Sequence, residues 1–141
     1  CTQKEIDNIL NKKSWLRAMS GISNDSREIE KGIYAGNERC ILAQKMYVKR
    51  VIEYIAKYYV ELEGCDAIVF TAGLGENSIH TRKEVMDGLK VLGIKVDEEA
   101  NNCRGKEVKI SSDDSSVLVY VIPTNEELMI ARDTLNLIEM E

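Results

Sequence analysis

Apolar residues recur at helical spacing between Gly36 and Glu63: Ile41, Leu42, Met46, Val48, Val51, Ile52, Ile55, Tyr58 and Tyr59. This pattern predicts one long helix with a broad apolar face, packed on a sheet, and ended by Gly64. Two other stretches are continuous apolar runs. Ala67-Ile68-Val69-Phe70 reads as a strand buried on both faces, because it does not alternate with polar residues. Val117-Leu118-Val119-Tyr120-Val121-Ile122 reads as a second strand, ended by Pro123. Weaker strands are expected at Leu92–Val96 and Lys106–Ile110. Strands and helices alternate over most of the chain, which makes the class α/β.

Three capping-box patterns mark predicted helix starts: Thr2-Gln3-Lys4-Glu5, Thr81-Arg82-Lys83-Glu84 and Thr124-Asn125-Glu126-Glu127. Between Ser14 and Arg27, the residues Ser20, Gly21, Ser23, Asn24, Asp25 and Ser26 make a polar loop with many local hydrogen-bonding side chains. Asp25 or Ser26 there caps a helix beginning near Arg27. The same loop has a second reading, in which Asp25 and Arg27 bracket a polar ligand, the carboxylate accepting from a ribose hydroxyl and the guanidinium stacking on a base. Asp97 to Cys103 is expected to hold one helical turn, and Ser111 to Ser116 a solvated turn.

Thr71-Ala72-Gly73-Leu74-Gly75-Glu76-Asn77-Ser78 follows the first strand directly. A strand, a glycine turn and a helix make a layout in which backbone N–H groups can face an anion. Gly73 and Gly75 would let the main chain approach a ligand without an intervening Cβ. The motif lacks the third glycine of a dinucleotide fingerprint, and the chain has no Walker phosphate loop. A tight structural turn and a ligand site both account for it. Glu126 lies just beyond the carboxyl end of the second strand, where open α/β sheets tend to place ligands. It either complements a helix dipole or holds hydrated Mg²⁺ beside nucleotide phosphates.

Composition narrows the function classes. The 141 residues, 44% hydrophobic and 30% charged, suit one globular domain. A formal net charge of -5 without a basic stripe argues against a nucleic-acid partner. No apolar run approaches membrane-span length, and the N-terminus lacks a signal-peptide layout. Cys1, Cys40, Cys65 and Cys103 form no CxxC pair, which favours reduced thiols in a cytoplasmic setting. The single histidine, His80, reads as a surface residue, so histidine-dependent triads and metal clusters have no basis here.

Three long stretches carry a family resemblance. Val69 to Ser78 resembles the C-terminal nucleotide-binding motif of acetate kinases. Val121-Ile122-Pro123-Thr124-Asn125-Glu126-Glu127-Leu128-Met129-Ile130-Ala131-Arg132-Asp133-Thr134 is very similar to a second motif of that family, and Ser20 to Glu30 to a third. They occur in the family's order and at about its spacing. The resemblance implies a ribonuclease H-like fold of the acetate and sugar kinase, Hsp70 and actin superfamily. It implies ATP and Mg²⁺ as cofactors, acetate and acetyl phosphate as the acceptor pair, ADP as the other product, and a homodimer. By position, Asp25, Ser26 and Arg27 become part of an adenosine pocket. Gly73, Leu74, Gly75, Glu76 and Asn77 become nucleotide contacts, and Glu126 the carboxylate associated with Mg²⁺.

The resemblance breaks at Ser14-Trp15-Leu16-Arg17-Ala18, where the family usually has Ser-Gly-Leu-Leu-Gly. Any positive φ required there would be strained. The chain resembles the C-terminal third of such a kinase, residues 1–141 forming one nucleotide-binding domain. The family's substrate-contacting asparagine, aspartate, histidine and paired arginines lie upstream of the resemblance. The chain alone is therefore expected not to turn over acetate. A propionate or butyrate kinase segment and a stand-alone assembly domain are the alternatives.

Overall fold

A computed structural model describes residues 1–139. Three strands form one sheet in the order β1-β3-β2: β1 (Ala67–Phe70), β2 (Val108–Lys109) and β3 (Leu118–Val121). β1 runs parallel to β3, pairing Ala67 with Leu118 and Phe70 with Val121. β2 runs antiparallel to β3. The central position of β3 follows from its buried Val119 and Val121, which point into the core with Val117 just before the strand. The expected strand at Leu92–Val96 shrinks to a 3₁₀ turn (Lys90–Leu92) and one bridge from Val96 to Ser111.

One face of this sheet is covered. The long helix, here α4 (Glu38–Glu61), packs against α6 (Ile79–Gly88). Val48, Val85, Met86 and Leu89 from these helices meet Ile94, Ile110, Val117, Val119 and Val121. Val69 and Leu118 on the opposite face stay exposed, at 48% and 38%. The expectation that β1 is buried on both faces is therefore corrected. Its residues are apolar throughout, but the helices that pack on the sheet lie on one side. The apolar face of α4 is divided in the same way. Val51, Ile52, Ile55 and Tyr59 pack on the core, whereas Leu42, Met46, Tyr54 and Tyr58 face outward.

The N-terminal third packs on the start of α4. α1 (Gln3–Asn8) is capped by Thr2 and Glu5 as the pattern predicts, and runs on into a π-helical turn (Ile9–Lys13). A short helix, α2 (Leu16–Ser20), precedes the expected polar loop. Its last carbonyls are satisfied from a distance: Arg39 of α4 donates from Nε to Met19 O at 2.9 Å and from Nη2 to Ala18 O at 3.0 Å. No local signal announces such a partner. Trp15, where the family has glycine, takes φ 52°, so the expected strain is present. α3 (Ser26–Tyr34) follows, capped by Asp25.

Two of the three capping boxes do not form. α6 starts at Ile79 with Ser78 as its cap. Thr81 and Glu84 are spent across the helix interface, both accepting from Gln44 Nε2 of α4, at 3.0 and 2.9 Å. α8 (Glu126–Glu139) begins beyond Asn125, whose Oδ1 accepts from Leu128 N at 3.2 Å. Thr124 turns away to Glu76. A short α7 (Glu98–Asn101), capped by Asp97, occupies the expected single turn. Asp113 and Asp114 sit in the solvated turn, paired with Lys109 and Lys95. Among the described residues no helix is long and apolar enough to cross a membrane.

Candidate functional site

A cleft of about 490 Å³ opens between α3 and the segment that follows β1. The α3 wall begins with a pre-wired loop. Ser20 Oγ donates to Ser23 O at 3.2 Å, and Ser23 Oγ accepts from Asp25 N at 3.0 Å. Asp25 Oδ1 then accepts from Arg27 N at 2.9 Å, which caps the helix. The same carboxylate holds the Arg27 side chain as a fork: Nε to Oδ1 at 3.1 Å and Nη2 to Oδ2 at 2.6 Å. Arg27 pulls the Asp25 carboxyl down to about 2. The structure shows the helix-cap reading of Asp25, whose carboxylate is taken up by Arg27 and does not line the cleft. That carboxylate orients a guanidinium that is itself mostly exposed at the cleft.

The opposite wall differs from expectation in one respect. The glycine turn is a six-residue helix, α5 (Ala72–Asn77). The positive φ in this stretch belongs to Ala72, at 59°, and neither Gly73 nor Gly75 has one. The two glycines serve different contacts. A Cβ on Gly73 would meet nothing within 4 Å, so its Cα faces open space in the cleft. A Cβ on Gly75 would sit 3.2 Å from the Phe70 carbonyl carbon and 3.5 Å from its Cα. Gly75 therefore lets α5 pack down on β1, and it does not line the cleft. Leu74 and Asn77 do line it, and Asn77 Nδ2 donates to Gly73 O at 2.9 Å.

A second, shallower cleft of about 350 Å³ lies on the other side of Gly73, lined by Ala72, Thr124, Asn125, Glu126 and Glu127. Here Glu76 is an anchor. Its Oε1 accepts from Thr124 N at 2.8 Å and from Thr124 Oγ1 at 3.1 Å, which holds its carboxyl below the usual range. Glu126 stands at the N-terminal turn of α8. The carboxylates of Glu126 and Glu127 and the oxygens of Thr124 and Asn125 are hard donors of the kind Mg²⁺ takes, and one or two carboxylates suffice because Mg²⁺ keeps several waters. No group of three His, Cys, Asp or Glu side chains able to hold a metal occurs among the described residues.

The structure thus brings Ser26, Arg27, Gly73, Leu74 and Asn77 to one cleft. Glu126 lies in the next, and Asp25, Gly75 and Glu76 act behind the walls. Sequence reasoning missed Glu30, Ile33, Gln44, Ser78, His80, Thr81 and Arg104, which complete the lining. Glu30 and Ile33 follow Ser26 at helical spacing on α3, so periodicity could have found them. Gln44 and Arg104 come from distant segments and carry no such signal. His80 is 44% exposed in its side chain, with Nε2 3.5 Å from Glu84 Oε2, and it also borders the cleft.

Comparison with known proteins gives a consistent result. The family model described as the acetokinase family matches residues 1–132. An acetate kinase of Halothermothrix orenii is 53% identical over 136 residues, covering 96% of this chain and 34% of that protein. One of Methanosarcina barkeri is 51% identical over 140 residues, with 99% and 34% covered. Among solved structures, Porphyromonas gingivalis acetate kinase superposes with a TM-score of 0.87 at 43% identity, over 98% of this chain and 35% of that one. A propionate kinase from Francisella tularensis gives 0.81 at 38%, over 93% and 33%. The chain spans about a third of the length of the curated relatives it matches.

Proposed function

Because the chain belongs to the acetokinase family, we propose that it is the nucleotide-binding part of an acetate kinase, an enzyme that moves the γ-phosphoryl of ATP reversibly to acetate. The observation that carries this is the α3–α5 cleft. It joins Ser26 and Arg27 to Gly73, Leu74 and Asn77, from segments far apart in the chain, and leaves Gly73 without a neighbour on the open side. Its volume lies in the range of small-molecule sites.

In this reading the adenosine lies between α3 and α5. Arg27, held flat by Asp25, presents its guanidinium to the base. Gly73 lets the nucleotide approach the main chain, and the phosphates run past it toward the second cleft. Glu126 would hold Mg²⁺ there, and the ion would neutralise phosphate charge. The acyl acceptor is read as acetate because the relatives at 51% and 53% identity are acetate kinases. Residues 1–141 are read as one domain of a larger enzyme. Their match to a third of each relative and the exposed apolar sheet face at Val69 and Leu118 support this. The reading includes a cytoplasmic homodimer, and a chain that alone binds nucleotide without sustained acetyl phosphate formation.

Titration with Mg·ATP by calorimetry tests it. The wild-type chain should bind saturably. Arg27→Ala, with an unchanged circular dichroism spectrum, should bind about 3- to 30-fold more weakly, the range of a cation–π contact. A folded wild-type chain without saturable binding would favour an assembly role and sink this reading.

A further inference from the structure

Among the described residues Arg82 is the largest fully buried side chain, and no carboxylate of those residues partners it. Its guanidinium spends its donors on carbonyl oxygens from two segments. Nη1 donates to Gly75 O at 2.9 Å, in the middle of α5. Nε donates to Asn101 Oδ1 at 2.9 Å, and Nη2 to Asn101 O at 2.8 Å and Cys103 O at 2.7 Å. Burying a charge against neutral acceptors is costly, and an apolar side chain of similar volume would fill the space more cheaply. Burial also pushes the guanidinium below its ordinary value. What the arginine contributes is its fork, which only a planar set of five N–H donors can direct at two segments together.

The segment it holds needs holding. α5 has six residues, too few to be stable by itself, and Thr71 provides no side-chain cap at its start. Gly73, Leu74 and Asn77 on α5 form one wall of the cleft. The 101–103 segment leads directly into Arg104, which borders the same cleft.

We infer that Arg82 is a positioning residue for nucleotide binding: from inside the core it sets the α5 wall and the Arg104 rim of the cleft at a fixed separation. This rests on the nucleotide reading of that cleft. Arg82 touches no ligand; it acts through the Gly75 and Cys103 carbonyls.

The test compares Arg82→Lys with Val85→Ala. Lysine keeps the charge and loses the fork. Val85 is equally buried on the same helix but belongs to the core cluster, so its truncation reports general loss of stability. Amide hydrogen exchange is followed on peptides covering residues 72–78, and Mg·ATP affinity by calorimetry, below both unfolding midpoints. Arg82→Lys should exchange at least tenfold faster at 72–78 and bind at least tenfold more weakly. Val85→Ala should do neither. If Arg82→Lys does not fold, Asn101→Ala, which removes one acceptor and leaves the guanidinium, should give the same pattern at smaller size. Unchanged exchange at 72–78 in the Arg82 or Asn101 variant, or an equal rise in Val85→Ala, overturns the inference. A wild-type chain that does not bind Mg·ATP overturns the nucleotide reading instead, and exchange still decides whether Arg82 holds α5.

Discussion

Replacing each α5 glycine by alanine separates ligand approach from packing. Gly73 has an ordinary negative φ and nothing within 4 Å of a Cβ position, so Gly73→Ala adds a methyl group to open space. In a helix this exchange gains about 0.5–1 kcal/mol, because alanine loses less backbone freedom on folding. For a chain of this size that raises the unfolding midpoint by roughly 2–6 °C. The added methyl group occupies the surface against which a nucleotide would lie. Displacing the ligand by one methyl radius should cost at least about 1.4 kcal/mol, a tenfold loss of affinity. Gly75→Ala has the opposite signature. Its Cβ, 3.2 Å from the Phe70 carbonyl carbon, presses on strand backbone that cannot rotate aside. Overpacking of this kind costs about 1–3 kcal/mol and lowers the midpoint. Calorimetric melting and Mg·ATP titration of the two variants give both quantities. Mg·ATP binding by Gly73→Ala as tight as wild type, or destabilisation equal to that of Gly75→Ala, would refute the assignment of Gly73 to ligand approach.

Two further outcomes are expected. The Asp25 carboxyl is depressed to about 2 from an ordinary value of 3.8 by Arg27, so its contribution to stability is complete above about pH 4 and is lost as pH falls through about 2. Asp25→Asn keeps an oxygen to cap α3 but cannot titrate, so its melting temperature should fall less steeply between pH 4 and 2 than that of wild type; parallel curves would refute the assignment. At the start of α8, Asn125→Ala should cost about 1 kcal/mol through loss of the cap, whereas Glu127→Ala should be nearly neutral; urea melts that reverse this order would restore the Thr124–Glu127 capping box.

Features encoded within a few residues were legible directly from the chain. The 3.6-residue apolar period marks α4, and the β-branched run marks β3. Thr2 with Glu5 and Asp25 with Arg27 set the starts of α1 and α3. The long motifs contain residues of both walls of the cleft, Ser26 and Arg27 on one side and Gly73, Leu74 and Asn77 on the other. Tertiary structure alone decided how donors were shared. Thr81 and Glu84 match a capping box, but Gln44 lies close enough to bond both, and Ser78 becomes the cap. Thr124 and Glu127 match another, but Glu76 takes the Thr124 hydroxyl and N–H. The terminal carbonyls of α2 are satisfied by Arg39, some twenty residues on. In the sequence Arg82 is only a member of the Thr81–Glu84 capping-box pattern, and folding alone brings the Gly75, Asn101 and Cys103 carbonyls around it. Local pattern marks α4, β1 and β3 because it acts through neighbours on the backbone, whereas the strand expected at Leu92–Val96 is left by packing with a single bridge. Partner choice belongs to the tertiary structure, because a hydrogen-bonding group satisfies whichever acceptor the packing brings within about 3 Å.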